Sequence, residues 1–565
     1  MVVLHSKQVI DKYVSEGWWD NVTLIERFKR NVRRAPKRIA VVDPPNKKDL
    51  VGYEPERLTY EELAERVDRA ASFLLDKGVF KDTCVAVQLP NTIELIIAYL
   101  ATWRAAACIT TMPMQWREHE LRAVFGITMP KVFITAETFK GFNHLEMAKK
   151  LQAEYPSIEH VVGFSEWHKA STEYRIRNDL DEVTSMLDAN DVANIQWTSG
   201  TEAEPKACPL THNNWSFIRF LYDEKYGGIL KDGDVILNPS PIVNMTGIGV
   251  GLIPWIMVAG TLVLHHPFDP LIFVRQLVEE KVNFTLAVPT VVVEILKHPA
   301  LAKLDLSHLR YFAQGAAAPP PWTFVELKRR GVEPMNIWGQ NEGTGLFSYE
   351  KTVPDVESRA RLFPWPHKGI KWETAYFNAI EAKIVDPETG KELTKPGEIG
   401  ELCVRGPGVI AGYYRQPELT KKAFDKDGFF CTGDLFQIAD ERTIAFFDRK
   451  KDIIKRGGFT ISSAEVENVL KKHPKIMDAA VVGYPDERLG ERVCAFVVPR
   501  PGESVTLDEI KEFMKESEVA IYKWPEMLVI VDQIPRNPVG KVQKALLKEM
   551  LKKIKEEEAK EKKEM

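Results

Sequence analysis

The chain has 565 residues, more than one compact hydrophobic core accommodates, so we expect about two to four domains or subdomains. It is 44% hydrophobic and 28% charged, as is ordinary for a soluble globular protein. Its formal net charge of −4 provides no basic excess that would favour binding to nucleic acid. The six cysteines are far apart and lack metal-ligand spacing, which predicts buried thiols in a reducing compartment.

The amino terminus lacks the long apolar core of a secretory signal, and we therefore expect a cytoplasmic protein. Residues 247–264 carry no charge over 18 positions, which is the lower limit for a transmembrane helix. Four glycines and Pro254 in this segment favour instead a buried helix followed by a short strand over Thr261–Leu264. No membrane span is predicted.

From Thr83 onward, short apolar runs alternate with helical stretches. Strands are predicted over Cys84–Leu89, Ala107–Thr111, Lys131–Thr135, His160–Phe164, Val235–Asn238, Asn283–Val288 and Met335–Trp338. A helix is predicted over Leu95–Ala105, and residues 91–94 resemble a capping box at its start. This alternation is typical of an α/β fold, in which parallel sheets are joined by crossover helices.

After about Lys368 the pattern changes to short strands and turns, which predicts a small β-rich subdomain. Its strands are expected over Ala379–Val385, Gly400–Arg405 and Thr443–Phe447. A charged segment, residues 448–452, separates it from an α+β tail whose last part, residues 541–565, is rich in Lys and Glu. We predict an N-terminal domain over 1–450, with the β-rich part at about 369–450, and a small mobile C-terminal domain over 451–565.

Residues 197–212 place small residues, hydroxyl groups and one lysine in a single turn, a composition suited to holding phosphate. A predicted strand, Val192–Trp197, leads into the turn, and His212–Trp215 follows as the start of a helix. The residues expected to contact phosphate are Thr198, Ser199, Gly200, Thr201 and Lys206. Pro205 and Ala207 are incompatible with the Walker motif, which disfavours a P-loop kinase or ATPase. The predicted ligand is a nucleoside triphosphate.

Four further segments carry chemistry in a defined order. At 312–318 a small-residue turn after a strand would let a flat base lie against the backbone. At 338–342 Trp338 can stack on a base, and Glu342 can hold the magnesium that accompanies a triphosphate. Asp434, after a glycine turn, can accept hydrogen bonds from ribose hydroxyls. The fourth consists of residues 448–467 together with residues 535–541. It ends in Lys541, a glycine-preceded lysine able to neutralise charge that develops on phosphate.

These motifs, TSGTEAEPK, WGQNE, GYYRQPE, TGD, DRKKDIIKRGG and PRNPVGK, occur in the order seen in the adenylate-forming superfamily. Over nearly its whole length the chain resembles these acyl-CoA synthetases, nonribosomal-peptide adenylation domains and luciferases, and most of all a medium-chain acyl-CoA synthetase. The resemblance implies that MgATP activates a carboxylic acid as an acyl-adenylate, with release of pyrophosphate, before a thiol accepts the acyl group. It implies ATP, Mg²⁺, coenzyme A and a small carboxylic acid as ligands, and it leaves a homodimer open.

The resemblance also implies roles for individual residues. The catalytic set is Lys541, Glu342, Lys206 and Thr198. The nucleotide-binding residues are Thr198, Ser199, Gly200, Thr201 and Lys206 for phosphate, Gly315, Ala316, Ala317, Trp338, Gly339 and Asn341 around adenine and phosphate, and Asp434 and Arg449 for ribose. The implied magnesium ligands are Glu342 and Thr201, the implied hinge residue is Lys451, and the residues implied for the CoA channel are Gly457 and Gly458. The residues implied for the acyl pocket are Asn244, Gly247, Gly339 and Gly343.

Several positions depart from the family pattern. In the phosphate loop Glu202, Ala203 and Ala207 replace the usual Thr and two glycines. The remaining departures are Asn341 for a threonine, Asn244 where many relatives carry a histidine, and Asp448 for a glycine.

The acid is predicted from Gly339, because acetate- and propionate-specific relatives carry a tryptophan at the matching position, which closes the pocket. We hypothesise a medium-chain, branched or cyclic acid, with a hydroxylated short acid such as 4-hydroxybutyrate as the alternative. A carrier-protein acyl ligase shares every motif named above. A non-catalytic nucleotide-binding relative is the alternative from another class. It is suggested by Glu202 and Ala203, and the joint presence of the four residues Lys206, Glu342, Asp434 and Lys541 argues against it.

Overall fold

A computed structural model of the chain describes residues 4–198, 205–298, 304–456, 459–486, 488–517, 519–537 and 541–564. The chain forms two compact units. The larger unit comprises Met1–Ser199, Glu204–Ala382 and Val404–Phe430, and the smaller unit comprises Gly200–Ala203, Lys383–Cys403 and Cys431–Met565. The domain boundary predicted between residues 450 and 451 stays a prediction, as does the predicted mobility of residues 451–565.

The larger unit contains most of the strands and helices. Its strands are β1 (Ile39–Val42), β2 (Arg57–Thr59), β3 (Cys84–Gln88), β4 (Cys108–Thr111), β5 (Val132–Thr135), β6 (Thr138–Phe139), β7 (Phe142–Asn143), β8 (His160–Gly163), β9 (Val192–Thr198), β10 (Lys206–Thr211), β11 (Val235–Asn238), β12 (Thr261–Leu264), β13 (Phe284–Ala287), β14 (Tyr311–Gly315), β15 (Glu333–Gln340), β16 (Thr344–Ser348) and β17 (Leu362–Pro364). Its helices are α1 (Lys7–Ser15), α2 (Leu24–Arg34), α3 (Lys47–Val51), α4 (Tyr60–Asp76), α5 (Ile93–Arg104), α6 (Glu118–Thr128), α7 (His144–Glu154), α8 (Phe164–Glu173), α9 (Leu180–Ser185), α10 (His212–Ser216), α11 (Arg219–Tyr222), α12 (Met245–Gly247), α13 (Ile253–Val258), α14 (Pro270–Glu279), α15 (Pro289–Lys297), α16 (Pro321–Arg329), α17 (Ala375–Asn378) and α18 (Pro417–Ala423).

Two large sheets organise this unit. The first has the order β16-β15-β14-β13-β11-β12-β1-β2, and its inner neighbours from β15 to β1 are parallel, whereas β16 and β2 are antiparallel edges. The second has the order β10-β9-β4-β3-β5-β8, parallel from β9 to β8, with β10 as an antiparallel edge. Helices connect consecutive parallel strands, because a parallel pair requires a crossover connection. The predicted α/β fold of parallel sheets with crossover helices is confirmed.

The first predicted helix begins differently from the expectation. The helix itself, α5, is present, but its N-cap is Thr92, whose side chain makes no capping hydrogen bond. The N–H of Ile93 donates instead to Asp43 Oδ1 at 2.8 Å. Glu94 is fully buried, and its carboxylate instead accepts hydrogen bonds from Lys47 Nζ at 2.8 Å and from His168 Nδ1 at 2.9 Å. The predicted capping box is therefore wrong, because a buried charge is better stabilised by a buried cation than by a backbone amide.

The uncharged segment of residues 247–264 folds as predicted into a buried helix and a strand. Helix α12 continues through a π-helical turn, Ile248–Leu252, into α13, and β12 follows. Asn238 holds the turn, since its Nδ2 donates to the carbonyl of Gly247 at 2.9 Å. A Cβ added to Gly251 would lie 2.3 Å from that same Nδ2. No helix within the described ranges is both long enough and apolar enough to cross a bilayer.

Among its described residues, the smaller unit contains two sheets and three α-helices. Its strands, which lie wholly or mostly within the unit, are β18 (Glu381–Val385), β19 (Glu392–Leu393), β20 (Ile399–Arg405), β21 (Phe430–Ile438), β22 (Thr443–Arg449), β23 (Ile454–Arg456), β24 (Phe459–Ile461), β25 (Ile476–Asp486), β26 (Gly490–Pro499) and β27 (Met527–Ile530). Its helices are α19 (Ser463–Leu470), α20 (Leu507–Glu516) and α21 (Lys544–Glu564).

One sheet contains the order β22-β21-β20-β18-β19, which confirms the β-rich subdomain. The other has the order β24-β23-β26-β25, and β27 pairs in parallel with β26. Helices α19 and α20 pack on the second sheet around a core that includes Val466, Leu470, Val481 and Ile510. The predicted α+β tail is confirmed.

Candidate active site

The predicted phosphate loop joins two antiparallel strands. Thr198 ends β9, Lys206 begins β10, and the two residues are paired directly across the hairpin. Ser199, Gly200 and Thr201 lie outside the described residues, as do Glu202 and Ala203. Helix α10 begins at His212 as predicted, but β10 lies between the loop and this helix and was not predicted. The hairpin fixes Lys206 opposite Thr198 at the base of the loop.

A glutamine from the GYYRQPE motif clamps the end of this loop. The backbone N–H of Ala207 donates to Gln416 Oε1 at 2.9 Å, and Gln416 Nε2 donates to the carbonyl of Pro205 at 3.2 Å. The N–H of Tyr414 donates to the carbonyl of Ala207 at 2.9 Å. Sequence reasoning used this motif only for the resemblance and missed the clamp. The backbone on both sides of Lys206 is thereby fixed by one side chain.

Tyr413 brings the buried carboxylate of Glu342 and the ammonium of Lys206 to one ring. Glu342 is 6% exposed, in the turn between β15 and β16, and its Oε1 accepts a hydrogen bond from Tyr413 Oη at 2.8 Å. Lys206 Nζ lies 5.2 Å from the centroid of the Tyr413 ring, within cation–π range. Burial, together with the negative charge of Glu342, raises the pKa of Tyr413. The tyrosine therefore keeps its proton and orients the carboxylate, a role that sequence reasoning missed.

The turn that carries Glu342 depends on Gly343. Its φ of +86° lies in the left-handed region, and an added Cβ would lie 1.9 Å from the carbonyl oxygen of Gly408. The backbone N–H of Ile410 donates to the carbonyl of Glu342 at 3.0 Å, which ties the same turn to the following segment. Backbone geometry alone thus explains this glycine, and its predicted place in the acyl pocket stays a prediction.

Asn341 joins two elements next to this turn. Its Oδ1 accepts from the N–H of Met245 at 2.8 Å, and its Nδ2 donates to the carbonyl of Trp197 at 2.8 Å. The side chain therefore links the end of β9 to the start of α12. Asn244 caps α12 in turn, because its Oδ1 accepts from the N–H groups of Thr246 at 3.1 Å and Gly247 at 3.2 Å.

The predicted adenine residues lie at the carboxyl ends of neighbouring parallel strands. Gly315 ends β14 and pairs in register with Ile337 of β15, one residue before Trp338. Ala316, at a φ of +69°, and Ala317 are exposed just beyond the strand, and Trp338 is half-buried. Ligands of parallel sheets gather at this edge. The two motifs thus lie at the ends of paired strands, and their predicted roles around adenine stay a prediction.

Gly339 is exposed on β15, and its partner across the antiparallel pair is Gly345 of β16. Two adjacent positions on this sheet therefore carry no side chain. Gly247 is buried, and an added Cβ would lie 2.0 Å from the carbonyl oxygen of Pro241. The acyl pocket predicted around these glycines stays a prediction.

Asp434 and Arg449 face each other in the smaller unit. They are paired across β21 and β22, and Asp434 is 7% exposed. The N–H of Asp434 donates to Thr432 Oγ1 at 3.1 Å, and the N–H of Gly433 donates to Glu401 Oε1 at 3.0 Å. The TGD motif is therefore held by its own threonine, and the two predicted ribose residues are neighbours.

Hydrogen bonds to Asn537 hold the backbone of Lys541 in the smaller unit. The N–H of Asn537 donates to the carbonyl of Lys541 at 2.8 Å, and the N–H of Lys541 donates to Asn537 Oδ1 at 2.9 Å. The adjacent residues Arg536 and Val542 form an antiparallel bridge, and Arg536 also pairs with Asp478 at 2.6 Å. The Lys541 side chain itself is exposed to solvent.

Asp448, at the position where relatives carry glycine, accepts hydrogen bonds from the first residues of α19 and from the residue before it. It is 3% exposed, and its Oδ2 accepts from Ser463 Oγ at 2.8 Å, from Ser462 Oγ at 3.2 Å and from the N–H of Ala464 at 3.3 Å. A carboxylate at the start of α19 is favourable, because the helix presents unpaired N–H groups there. Lys451, the predicted hinge, is exposed, and Gly457 and Gly458 lie outside the described residues.

Glu342 is a suitable ligand for Mg²⁺. Among the described residues, the group of three side chains able to surround a metal is Glu56, Glu94 and His168, and the ammonium of Lys47 already lies 2.8 Å from Glu94. Glu342 offers one oriented carboxylate instead. Mg²⁺ in triphosphate sites binds one or two carboxylates and completes its shell with waters and phosphate oxygens, so a single glutamate fits.

Comparison with known proteins identifies the family of this fold. Residues 28–414 match the AMP-binding enzyme family, and residues 465–541 match the AMP-binding enzyme C-terminal domain. The chain is 32% identical to the medium-chain fatty-acid–CoA ligase of Escherichia coli (strain K12), over 95% of this chain and 92% of that protein. It is 28% identical to a mitochondrial medium-chain acyl-CoA ligase of Homo sapiens, over 94% of this chain and 87% of that protein.

The structure resembles that of ATP-bound MatB from Rhodopseudomonas palustris, with a TM-score of 0.79 and 26% identity over 95% of this chain and 100% of that one. The predicted resemblance to adenylate-forming enzymes is confirmed.

Proposed function

The chain belongs to the AMP-binding enzyme family as an AMP-forming acid–thiol ligase, and we propose that its acid is a medium-chain, branched or cyclic carboxylate. ATP and CoA are its other substrates, so the reaction yields an acyl-CoA, AMP and pyrophosphate. The observation that supports this reaction best is the arrangement of Lys206 and Glu342 around Tyr413, beside the carboxyl ends of the parallel strands. A cation and a carboxylate suited to Mg²⁺ on one ring support the binding of a triphosphate here.

The first step needs no nucleophilic side chain. A carboxylate oxygen of the acid attacks the α-phosphorus of ATP, the bond to the bridging oxygen breaks, and pyrophosphate leaves with the electron pair. In the second step the sulfur of CoA attacks the acyl carbon, AMP leaves, and the thiol proton is released. Positioning and neutralisation of charge therefore supply most of the rate enhancement.

The triphosphate and adenine contacts in this proposal come from the phosphate loop and from the ends of β14 and β15. Lys206 and Thr198 would hold the β- and γ-phosphates together with Ser199, Gly200 and Thr201. Adenine would lie against Gly315, Ala316 and Ala317 with Trp338 on its face, next to Gly339 and Asn341. Asp434 and Arg449, which are paired across β21 and β22, would bind the ribose. Glu342, oriented by Tyr413, would hold Mg²⁺, which when bound neutralises charge on the phosphates.

Lys541 would act in the first step only. Its side chain is exposed on a loop whose backbone is pinned, which suits a group that is delivered to a site rather than built into one. In this proposal it bridges the acid carboxylate and the α-phosphate. Rotation of the C-terminal domain about Lys451 would then withdraw it and bring Gly457 and Gly458 to the thiol channel.

The sheet that carries Trp338 has little side-chain bulk beside the tryptophan ring, which favours a larger acid. Gly339 is exposed and faces Gly345 across the strand pair, so neither position fills the space beside the ring. The relatives named as medium-chain ligases, one of them 32% identical, support the same class. A hydroxylated short acid such as 4-hydroxybutyrate remains the second candidate, because an open pocket with Asn244 nearby also offers space for a polar group.

The test is a panel of acids from acetate to decanoate, with benzoate and 4-hydroxybutyrate, scored by pyrophosphate release with and without CoA. We expect the highest kcat/KM with medium-chain or cyclic acids, and acyl-CoA only when CoA is present. A strong preference for acetate would refute the open pocket. Pyrophosphate release without any thioester to CoA would point to a carrier protein as acceptor, and no release with any acid would point to a non-catalytic binding protein.

A further inference from the structure

A buried polar chain in the smaller unit connects the start of α21 with the end of β22. Lys544 is the first residue of α21, three positions after Lys541, and 12% of its side chain is exposed. Its Nζ donates to Ser463 Oγ at 2.5 Å and pairs with Glu467 Oε1 at 2.8 Å. Ser463 Oγ donates in turn to Asp448 Oδ2 at 2.8 Å. Four side chains from three elements thus form one continuous path.

The path is satisfied at both ends, which fixes the ammonium of Lys544 in one place. Glu467 Oε1 also accepts the N–H of Val481 at 2.9 Å, and Asp448 Oδ2 also accepts Ser462 Oγ at 3.2 Å. Ser463 is fully buried. Lysine is almost never buried without partners, and removing one member of a buried ion pair leaves the charge of the other uncompensated. The first turn of α21 therefore has a defined lateral position.

That position is transmitted to Lys541 through a short and constrained stretch of chain. Two residues, Val542 and Gln543, separate Lys541 from Lys544, and both are held: Val542 bridges Arg536, and the N–H of Gln543 donates to the carbonyl of Pro535 at 2.9 Å. Three residues span at most about 10 Å, so the anchor lies within that distance of the Lys541 backbone.

We infer that Lys544 is a positioning residue for acyl-adenylate formation, because its contacts with Ser463 and Glu467 hold the segment that presents Lys541. The inference rests on the proposed role of Lys541 in the first step. Lys544 itself does not touch the substrate in this account. The acceptor step, which in the proposed function takes place after Lys541 is withdrawn, does not require it.

The experiment measures the two half-reactions separately in the full-length enzyme. Acyl-adenylate formation is followed as pyrophosphate release in a single turnover without CoA, and the second step is followed from supplied acyl-AMP and CoA. Lys544→Met is expected to slow the first step by about 10- to 100-fold, as displacement of a catalytic group by about 1 Å does. The second step should stay within about twofold. Lys544→Arg keeps a donor for both partners and should recover most of the first step.

The matched control is Lys552→Met, because Lys552 lies on the same helix with 78% of its side chain exposed. It should leave both steps unchanged. Ser463→Ala breaks the same path without removing a charge and should reproduce a milder form of the defect. Equal loss of both steps in Lys544→Met and Ser463→Ala, or no loss in either, would overturn the inference. If Lys541→Ala also formed acyl-AMP at the normal rate, the proposed function would fail instead.

Discussion

The two lysines of the proposed reaction, Lys206 and Lys541, each end a short loop but are held in different ways. Both loops are closed by antiparallel pairing and by an amide side chain, Gln416 for the first and Asn537 for the second. The ammonium of Lys206 lies over the ring of Tyr413 beside a buried carboxylate. The side chain of Lys541 is exposed, while its backbone is pinned.

This difference distinguishes two uses of a cation. A lysine packed on a ring within its own unit is preorganised and contributes whenever the phosphates are bound. A lysine whose side chain is exposed contributes only when it is brought to the substrate, so it can act in one step and take no part in the next. Lys206 should therefore affect ATP binding, and Lys541 should affect the rate of adenylation alone.

The largest effect is expected from Lys541→Ala. Loss of a charge that acts only in the transition state should slow acyl-AMP formation by about 10³-fold, or about 4 kcal/mol, while ATP affinity changes by less than about threefold. Single-turnover pyrophosphate release and equilibrium binding of ATP measure the two quantities. Lys552→Ala, on the exposed face of α21, serves as the control. A normal rate of acyl-AMP formation would contradict the delivered-lysine account.

Lys206→Met should act on binding as well as on rate. Methionine keeps contact with the Tyr413 ring but removes the charge, so ATP affinity and acyl-AMP formation should both fall, the latter by about 10²-fold. Equilibrium ATP binding without acid separates this variant from Lys541→Ala. Unchanged ATP affinity would show that the two lysines do not differ in the way described above.

A smaller effect, on stability, is expected when His212 is protonated. Burial lowers the pKa of His212 to about 3, and its Nδ1 accepts the N–H of Leu24 at 3.2 Å, directly after the strand that Lys206 begins. Between pH 6.5 and 3 the unfolded chain binds the extra proton, so the free energy of unfolding falls as the pH is lowered. At pH 5 this one histidine should cost about 2 kcal/mol relative to pH 7.5.

Denaturant unfolding at the two pH values, compared between the wild type and His212→Gln, measures this contribution. The variant should lose less stability on acidification than the wild type, whereas His308→Gln, which removes an exposed histidine, should behave like the wild type. An identical pH dependence in all three proteins would rule out His212 as an acid-sensitive support of the Lys206 strand.

Most of the parallel sheets could be predicted because their strands are short apolar runs, as at Val235–Asn238, where prediction and structure coincide. Strand β10 could not, because Pro209 within it argues against a strand. A proline is tolerated there because β10 is the edge of its sheet. Whether a strand is an edge depends on the assembled fold, and one segment of sequence does not contain that information.

The candidate site, like the strands, could be predicted from the sequence only in part. Order and spacing indicated a turn after the strand that ends at Gly315 and a position for Trp338 near the end of another strand, and β14 and β15 have these positions. The clamp by Gln416 joins residues more than 200 positions apart, and the Tyr413 contact with Glu342 spans 71 positions. Asp448 was recognised only as a departure, because its partners become visible once α19 is placed. Local patterns thus indicate candidate residues, whereas long-range contacts determine how those residues are held.

The π-helical turn at Ile248–Leu252 and the residue before it, Gly247, differ sharply in which glycines can accept a side chain. Asn238 and the backbone at Pro241 occupy the space that side chains at Gly251 and Gly247 would need. At Gly249 an added Cβ would lie 2.9 Å from the flexible side chain of Met245 and 3.2 Å from the ring of Trp215. A mutational library over this segment should therefore recover small residues at 249 more often than any side chain at 247 or 251.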